Sequence, residues 1–359
     1  MTVGFGILGA GMISGLHADA LRNSRKAALT AVCDLDESRA RKLAKEYAPD
    51  ARVYAKLDHM LSDGRVEVVD VVTPNHLHTV AVLNAAAAGK HVLCEKPPAM
   101  SLAETDRMIR VCRRAGRKFG IFVQSRLREP IQQMKKALDE GRFGRVLRAD
   151  AVMKWHRSAE YYHADAWRSD RRSGAGVTIQ HAFHYIDLLQ YLLGPAAAVE
   201  ARMKNLAHPD VELEDTLDAL VWFANGATGT VAASTALWPG TDVRIELYGE
   251  RGAAIMQGAA FSLWKFQDER PEDDVLRRSG DPNQATAGGS PTALASVDHQ
   301  RVIDDCVDAI QRDREVAIPC ESVRPTLEMA LAMYQSDRLR RPISLPLSDE
   351  SDVWAAKNA

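Results

Sequence analysis

A doubly wound parallel α/β sheet over residues 1–124, joined to an α+β domain with an antiparallel sheet over residues 125–359, is the architecture this sequence predicts. Three observations carry the prediction. Apolar runs of strand length alternate with helical periods as far as Gln124, the pattern of a parallel sheet covered on both faces. Past that point apolar residues recur at period two in successive segments without helices between them, which reads as antiparallel. A chain of 359 residues is also too long for one ordinary core.

Taken in order, residues 3–8 read as an apolar strand, the run Gly9-Ala10-Gly11-Met12-Ile13-Ser14 follows, and residues 16–21 continue at helical spacing. A second strand over 29–33 ends at Asp34; a polar-faced helix (37–47), a short helix near Leu57 and a buried strand (66–72) come next. Thr73-Pro74-Asn75-His76 caps that strand, an alanine-rich helix runs to Ala88, and residues 91–93, 102–115 and 119–123 read as strand, helix and strand. In the second domain a helix over 131–140 leads to strands over 146–153, 218–223, 229–236, 243–248 and 253–256. Residues 270–291 are polar and rich in Gly, Pro and Asp, so a long loop or lid is expected there. Amphipathic helices over 297–312 and 323–340 close the chain.

Composition narrows the function classes. A net charge of -2 leaves no electrostatic footprint for nucleic acid. No apolar run reaches the roughly eighteen residues of a spanning helix, so no membrane role is expected. The five cysteines, at 33, 94, 112, 306 and 320, have no metal-ligand spacing; no metal is expected, and reduced thiols in a cytoplasm are. The apolar start already contains the glycine loop and lacks a basic leader, which makes it a first strand and not a signal peptide.

The glycine loop points to a dinucleotide. Gly9 permits a tight turn, Gly11 lets the backbone approach a pyrophosphate, and the helix N-terminus offers N–H groups to it, with Met12 and Ile13 in the same loop. Ser14 stands where the fingerprint has a third glycine, and glycines also serve ordinary turns. Asp34, about twenty residues on, suits a ribose diol and repels a 2′-phosphate, favouring NAD over NADP. Asp36 competes for that role, and Arg39 would tolerate a phosphate.

Two clusters carry candidate chemistry. Lys96, in Cys94-Glu95-Lys96-Pro97, follows the strand at 91–93 and so stands at the carboxyl end of a parallel strand, where such sheets bind ligands. The second is Gly174-Ala175-Gly176 running into a helix with Gln180 and His184 four residues apart, on one face if the helix begins by Gln180. A histidine titrates near neutrality and can take an alcohol proton while hydride leaves the same carbon. His181 and Asp187 read as structural or supporting residues.

These marks, with Thr73-Pro74-Asn75-His76-Leu77-His78, make the chain resemble the glucose-fructose oxidoreductase, inositol dehydrogenase and rhizopine-catabolism (Gfo/Idh/MocA) family over nearly its whole length. The resemblance implies a Rossmann domain, an open-faced C-terminal sheet used for homo-oligomer contacts, and hydride transfer between a nicotinamide and a sugar, polyol or related carbonyl. It puts Lys96 and His184 in the proton work, Asn75 near the nicotinamide and Glu95 near the cofactor, which with Thr73 and His78 completes the cofactor set. Many members have an aspartate where Gln180 stands; an amide can orient a substrate hydroxyl but cannot relay a proton. Ala175 replaces a glycine frequent in the family.

The stretch Trp155-His156-Arg157-Ser158-Ala159-Glu160-Tyr161-Tyr162 with Trp167-Arg168 suggests a polyhydroxylated substrate. Aromatic faces suit a pyranose, and Arg157, Tyr162 and Arg168 supply donors beside Lys96, Gln180, His181 and His184. Trp155 and Trp167 equally suit a core or subunit interface. Arg157, Arg168, Arg171 and Arg172 would also admit an anionic sugar. The expected function is an NAD-dependent dehydrogenase of a sugar, glycoside, polyol or sugar acid. The alternatives are a redox-neutral enzyme cleaving glycosides through transient oxidation, and a non-catalytic cofactor sensor.

Overall fold

The computed structural model describes residues 2–174, 176–209, 211–278, 295–351 and 353–354. Its contacts divide the chain into two compact units, residues 1–124 with 295–324, and residues 125–294 with 325–359. The break after Gln124 lies where the change of period puts it. The return of residues 295–324 to the first unit differs from the expected domain bounds: the helix Val297–Gln311 packs on the helix Ser14–Asn23. Ser24 Oγ donates to Asp304 at 2.5 Å and Lys26 Nζ to Asp308 at 2.7 Å, which ties the returning helix down. Amphipathicity shows that a helix has an apolar face but not which core receives it.

The first unit holds a parallel sheet of β1 (Val3–Leu8), β2 (Ala27–Cys33), β3 (Arg52–Tyr54), β4 (Val68–Val71), β5 (His91–Cys94) and β6 (Phe119–Ile121), in the order β3-β2-β1-β4-β5-β6. Every residue of β1 and β4 is buried, which explains why these strands read as apolar runs, broken in β4 only by Asp70. The order reverses between β1 and β4, so the loops after β1, β4 and β5 lie at the switch point where open sheets bind ligands. At the β6 edge, Ile121 N–H donates to the Ile318 carbonyl at 3.1 Å, so the returning chain covers the strand.

The second unit carries β7 (Val146–Lys154), β8 (Ala196–Lys204), β9 (Thr216–Phe223), β10 (Thr228–Ser234), β11 (Arg244–Gly249), β12 (Gly252–Gln257), β13 (Ala260–Phe266) and β14 (Ile343–Ser344), in the order β13-β12-β11-β7-β10-β9-β8-β14. The sheet is mixed, not purely antiparallel, because β10 pairs parallel with β7. A parallel neighbour needs a long crossover, and the helical segment with β8 and β9 supplies it. Along β9, Leu217, Ala219, Val221 and Phe223 are buried while Asp218 and Leu220 are exposed, leaving one face open. The helix Phe183–Leu193 packs against β7 on the covered face. Where a loop was expected over 270–291, Pro271–Arg278 is helical; the remainder lies outside the described residues. Among the described residues no helix is long and apolar enough to cross a membrane.

Candidate functional site

The glycine loop of the first unit is shaped by close backbone approach. Gly9 has φ +104°, and a Cβ there would stand 2.5 Å from the Val72 carbonyl oxygen, so the turn onto the end of β4 requires glycine. Gly11 is exposed and has nothing within 4 Å of where a Cβ would stand, which leaves room for a ligand against the loop. The helix Ser14–Asn23 opens without a side-chain cap and without an acid in its first turn, which suits an anion. Asp34, at the end of β2, accepts from Ala10 N–H at 2.6 Å and from Asp36 N–H at 2.8 Å, so its carboxylate is fixed beside the loop. At the end of β4 the buried Thr73 hydroxyl makes no hydrogen bond among the described residues. A dinucleotide fits these features: an open glycine turn, an uncapped helix, a fixed acid and an orphaned hydroxyl. Met12 is half exposed beside the turn, and Asn75 is buried in the short helical turn after Pro74. His78 differs from the expectation of a cofactor contact. It is wholly buried, with ring nitrogens 2.8 Å from the Pro97 carbonyl and 3.0 Å from the Thr73 carbonyl, and it braces the two loops together.

Lys96 follows β5 and is half-buried. Burial lowers the pKa of its ammonium, and the charge of Glu95 opposes that shift. Glu95 Oε2 accepts the Lys96 N–H at 3.1 Å, and Oε1 lies 3.1 Å from His17 Nε2. Burial works against the Glu95 carboxylate, yet His17 and His299 hold its pKa well below the usual range. His17, Asp70 and His299 were not singled out in the sequence. The signal was an acid inside the buried strand at 66–72, since a carboxylate there needs a partner.

In the second unit the helix does not begin before Gln180 as an α-helix. Thr178–Ala182 form a π-helical turn and the α-helix runs from Phe183 to Leu193, so Gln180 and His184 belong to different winds. Glu214 shapes this turn: its carboxylate accepts from Thr178 N–H at 3.1 Å and from the Tyr334 hydroxyl at 2.6 Å. A Cβ on Gly176 would stand 2.0 Å from Glu214 Oε1, so a larger residue there would displace the carboxylate that shapes the turn. Ala175 and the side chain of Arg172 lie outside the described residues. One turn beyond His184, Asp187 is fully buried and takes a bidentate bond from Arg126 at 2.6 and 2.7 Å and a third from Thr326 at 2.8 Å, which anchors the helix.

The aromatic and basic stretch folds around Tyr161, not Tyr162. Tyr161 presents its hydroxyl 3.4 Å from Gln180 Oε1 and 3.3 Å from His181 Nε2. The guanidinium of Arg168 lies 4.5 Å from its ring centre and that of Arg157 5.7 Å. Arg157 also lies over Trp155 at 5.0 Å and Arg168 over Trp167 at 5.7 Å, within cation–π range. Burial lowers the pKa of Arg157 and raises that of Tyr161, which keeps the phenol a hydrogen-bond donor. Tyr162, expected to touch substrate, packs with Val211 and Leu213 and bonds Thr235 Oγ1 at 2.6 Å. Arg171 is exposed to a different neighbourhood, donating to the Glu212 carbonyl at 2.7 Å.

Comparison with known proteins gives the following. A family model described as the Gfo/Idh/MocA C-terminal domain matches residues 131–255, and one described as an oxidoreductase family with an NAD-binding Rossmann fold matches residues 3–123. Inositol 2-dehydrogenase 2 of Saccharopolyspora erythraea is 34% identical, the match covering 81% of this chain and 86% of that protein. A 2,7-anhydro-N-acetylneuraminate hydratase of Mediterraneibacter gnavus is 30% identical over 70% of this chain and 66% of its own. Among solved structures, the WlbA dehydrogenase of Bordetella pertussis, in complex with NADH and UDP-GlcNAcA, superposes with a TM-score of 0.85 at 29% identity, covering 97% of this chain and 100% of that one.

Proposed function

This chain belongs to the Gfo/Idh/MocA family of NAD-binding oxidoreductases, and from that premise we propose that it oxidises a secondary hydroxyl of a sugar, polyol, glycoside or sugar acid, or reduces the matching carbonyl. The observation that carries the reading is Lys96, an ammonium of lowered pKa at the carboxyl end of β5 in the NAD-binding unit. Bound NAD supplies the hydride acceptor. Gly9, Gly11, Met12, Ile13, Asp34, Thr73, Asn75 and Glu95 hold or flank it. Lys96 binds and polarises the reacting oxygen, and His184 takes the hydroxyl proton; the two roles are exchangeable. Gln180 orients a neighbouring oxygen of the substrate. Arg157, Trp167, Arg168 and His181 bind the remaining hydroxyls or a carboxylate, together with Tyr161, while Tyr162 packs behind it. The dehydrogenase names of the relatives support a polyhydroxylated substrate, and the aromatic and guanidinium surfaces suit one.

The fixed carboxylate of Asp34 supports NAD over NADP. Exposed Leu220 and Tyr248 on the open sheet face support self-association through that face. The buried free thiols are in keeping with a cytoplasmic protein. The hydratase relative favours a second reading, in which the sugar is oxidised transiently and then reduced again. A screen of sugars, polyols, glycosides and sugar acids with NAD separates the two, because only the dehydrogenase accumulates NADH. No turnover across the panel, together with rapid reduction of a small hydrophobic ketone, would overturn the saccharide reading.

A further inference from the structure

Behind Glu95, within the first unit, lies a file of ionisable side chains that the proposed reaction leaves without a role. His17, on the helix that follows the glycine loop, is wholly buried, with Nδ1 2.9 Å from Asp70 Oδ2 and Nε2 3.1 Å from Glu95 Oε1. An ionised carboxylate only accepts, so a ring held between two of them carries a proton on each nitrogen. The ring edge meets Phe122 at 4.5 Å and His299 at 4.9 Å between ring centres, and these close the file off from water. His299, on the returning helix, places Nε2 3.7 Å from Glu95 Oε1, and burial lowers its pKa so that it stays neutral.

We propose that His17 is a cation at neutral pH and a positioning residue for Lys96, tying the helix of the glycine loop, through Glu95, to the strand end that carries the lysine. The proposal rests on the role given to Lys96 above. Two buried carboxylates would repel each other, and the imidazolium between them removes that repulsion. Glu95 is then held at both oxygens, by His17 on one side and by the Lys96 N–H on the other, so the lysine's backbone is fixed relative to the pyrophosphate helix. Along the file the charges alternate as Asp70, His17, Glu95, Lys96, and the sum is neutral. The His17 charge also tempers the pull of Glu95 on the ammonium. Burial would lower the His17 pKa, but Asp70 and Glu95 outweigh it and push it up to about 10. The other groups facing the file are His78, bound to the Pro97 and Thr73 carbonyls, Asp298 beside His299, and the thiols of Cys94 and Cys306, whose pKa values burial raises.

The test reads the Lys96 amine directly. Competitive acetylation of the full chain across pH, quantified on the Lys96 peptide by mass spectrometry, gives its titration midpoint without any substrate. Glu95→Gln removes the attracting carboxylate and should lower the midpoint by about one pH unit. The double variant His17→Gln/Asp70→Asn replaces the ion pair by a neutral hydrogen-bonded pair of similar size. It should raise the midpoint by roughly half a unit, because Glu95 then acts unopposed. Midpoints equal to that of the native chain in both variants would overturn the proposal. Should either variant fail to fold, nitrogen-15 spectra of histidine-labelled native protein decide: two N–H signals for His17 at pH 8 support it, and a neutral ring or a stoichiometric bound zinc overturns it. A chain that passes these tests yet turns over no sugar would refute the reaction and leave the file standing.

Discussion

The candidate site residues of the two units hold their charges in different ways. In the first, Asp70, His17, Glu95 and Lys96 neutralise one another in a buried file, each joined to the next by hydrogen bonds or sequence adjacency. In the second, Arg157 and Arg168 lie on the faces of Trp155, Tyr161 and Trp167, and Arg168 also pairs with Asp165 at 3.4 Å. Ion pairs in a low-dielectric interior are directional and unforgiving of a lost partner. Cations on ring faces accept varied geometry. The first arrangement suits a reaction that must be the same in every turnover, and the second suits a ligand whose shape is the variable.

The largest effect expected from breaking this contrast is on turnover. Lys96→Ala and His184→Ala should each cut kcat by about 10²- to 10⁴-fold, the usual worth of acid–base help, with NADH binding by fluorescence little changed. Near-native turnover in either variant would remove that residue from the proton work.

A pH series sharpens the same contrast on the stability side. The folded-state pKa of His17 is raised, from 6.5 to about 10, so its contribution to stability is complete below about pH 6.5 and is lost as pH rises through about 10. Calorimetry between pH 7 and 10 should show the thermal midpoint falling, and the double variant His17→Gln/Asp70→Asn should flatten that slope. An equally steep slope in the variant would assign the effect to other groups.

Asp34→Ala should narrow the preference for NAD over NADP by roughly tenfold, about 1.4 kcal/mol, in binding titrations with both nucleotides. Tighter binding of NADP by the native chain would refute the assignment. The smallest effect separates two neighbours. Tyr161→Phe should raise KM for the sugar a few-fold, as expected for a hydrogen bond worth about 1 kcal/mol. Tyr162→Phe should leave KM alone and lower the thermal midpoint, because it loses the bond to Thr235. A reversal of the two phenotypes would restore the first expectation.

Much of this arrangement was legible in the chain because its signals are local. Buried parallel strands such as β1 and β4 are mostly apolar, Asp70 being the exception in β4, and the glycine loop, Asp34 and Lys96 occupy fixed places relative to strand ends. What escaped is non-local or too short to have a period. The three residues of β3 carry no pattern, and the alanines of β8 blur its alternation. The pairing of β10 with β7 depends on where a crossover lands. Tyr161 and Tyr162 share one helical turn, and adjacent residues there point about 100° apart, so only the packing of Tyr162 on Val211 and Leu213 decides which faces Gln180. The π-helical turn was equally hidden, since it follows from Glu214, a residue far along the chain.

The return of residues 295–324 to the first unit bears on how the chain is made. Residues 125–294, a stretch of 170, must be synthesised before that unit is complete. At about 5–20 residues per second, roughly ten to thirty seconds pass on the ribosome. Throughout that interval Phe122, His17 and the β6 edge lack the helix and the segment at Ile318 that later cover them. The nascent nucleotide-binding half therefore waits with apolar surface and an open strand edge, and a chaperone able to hold such surfaces has its opening there.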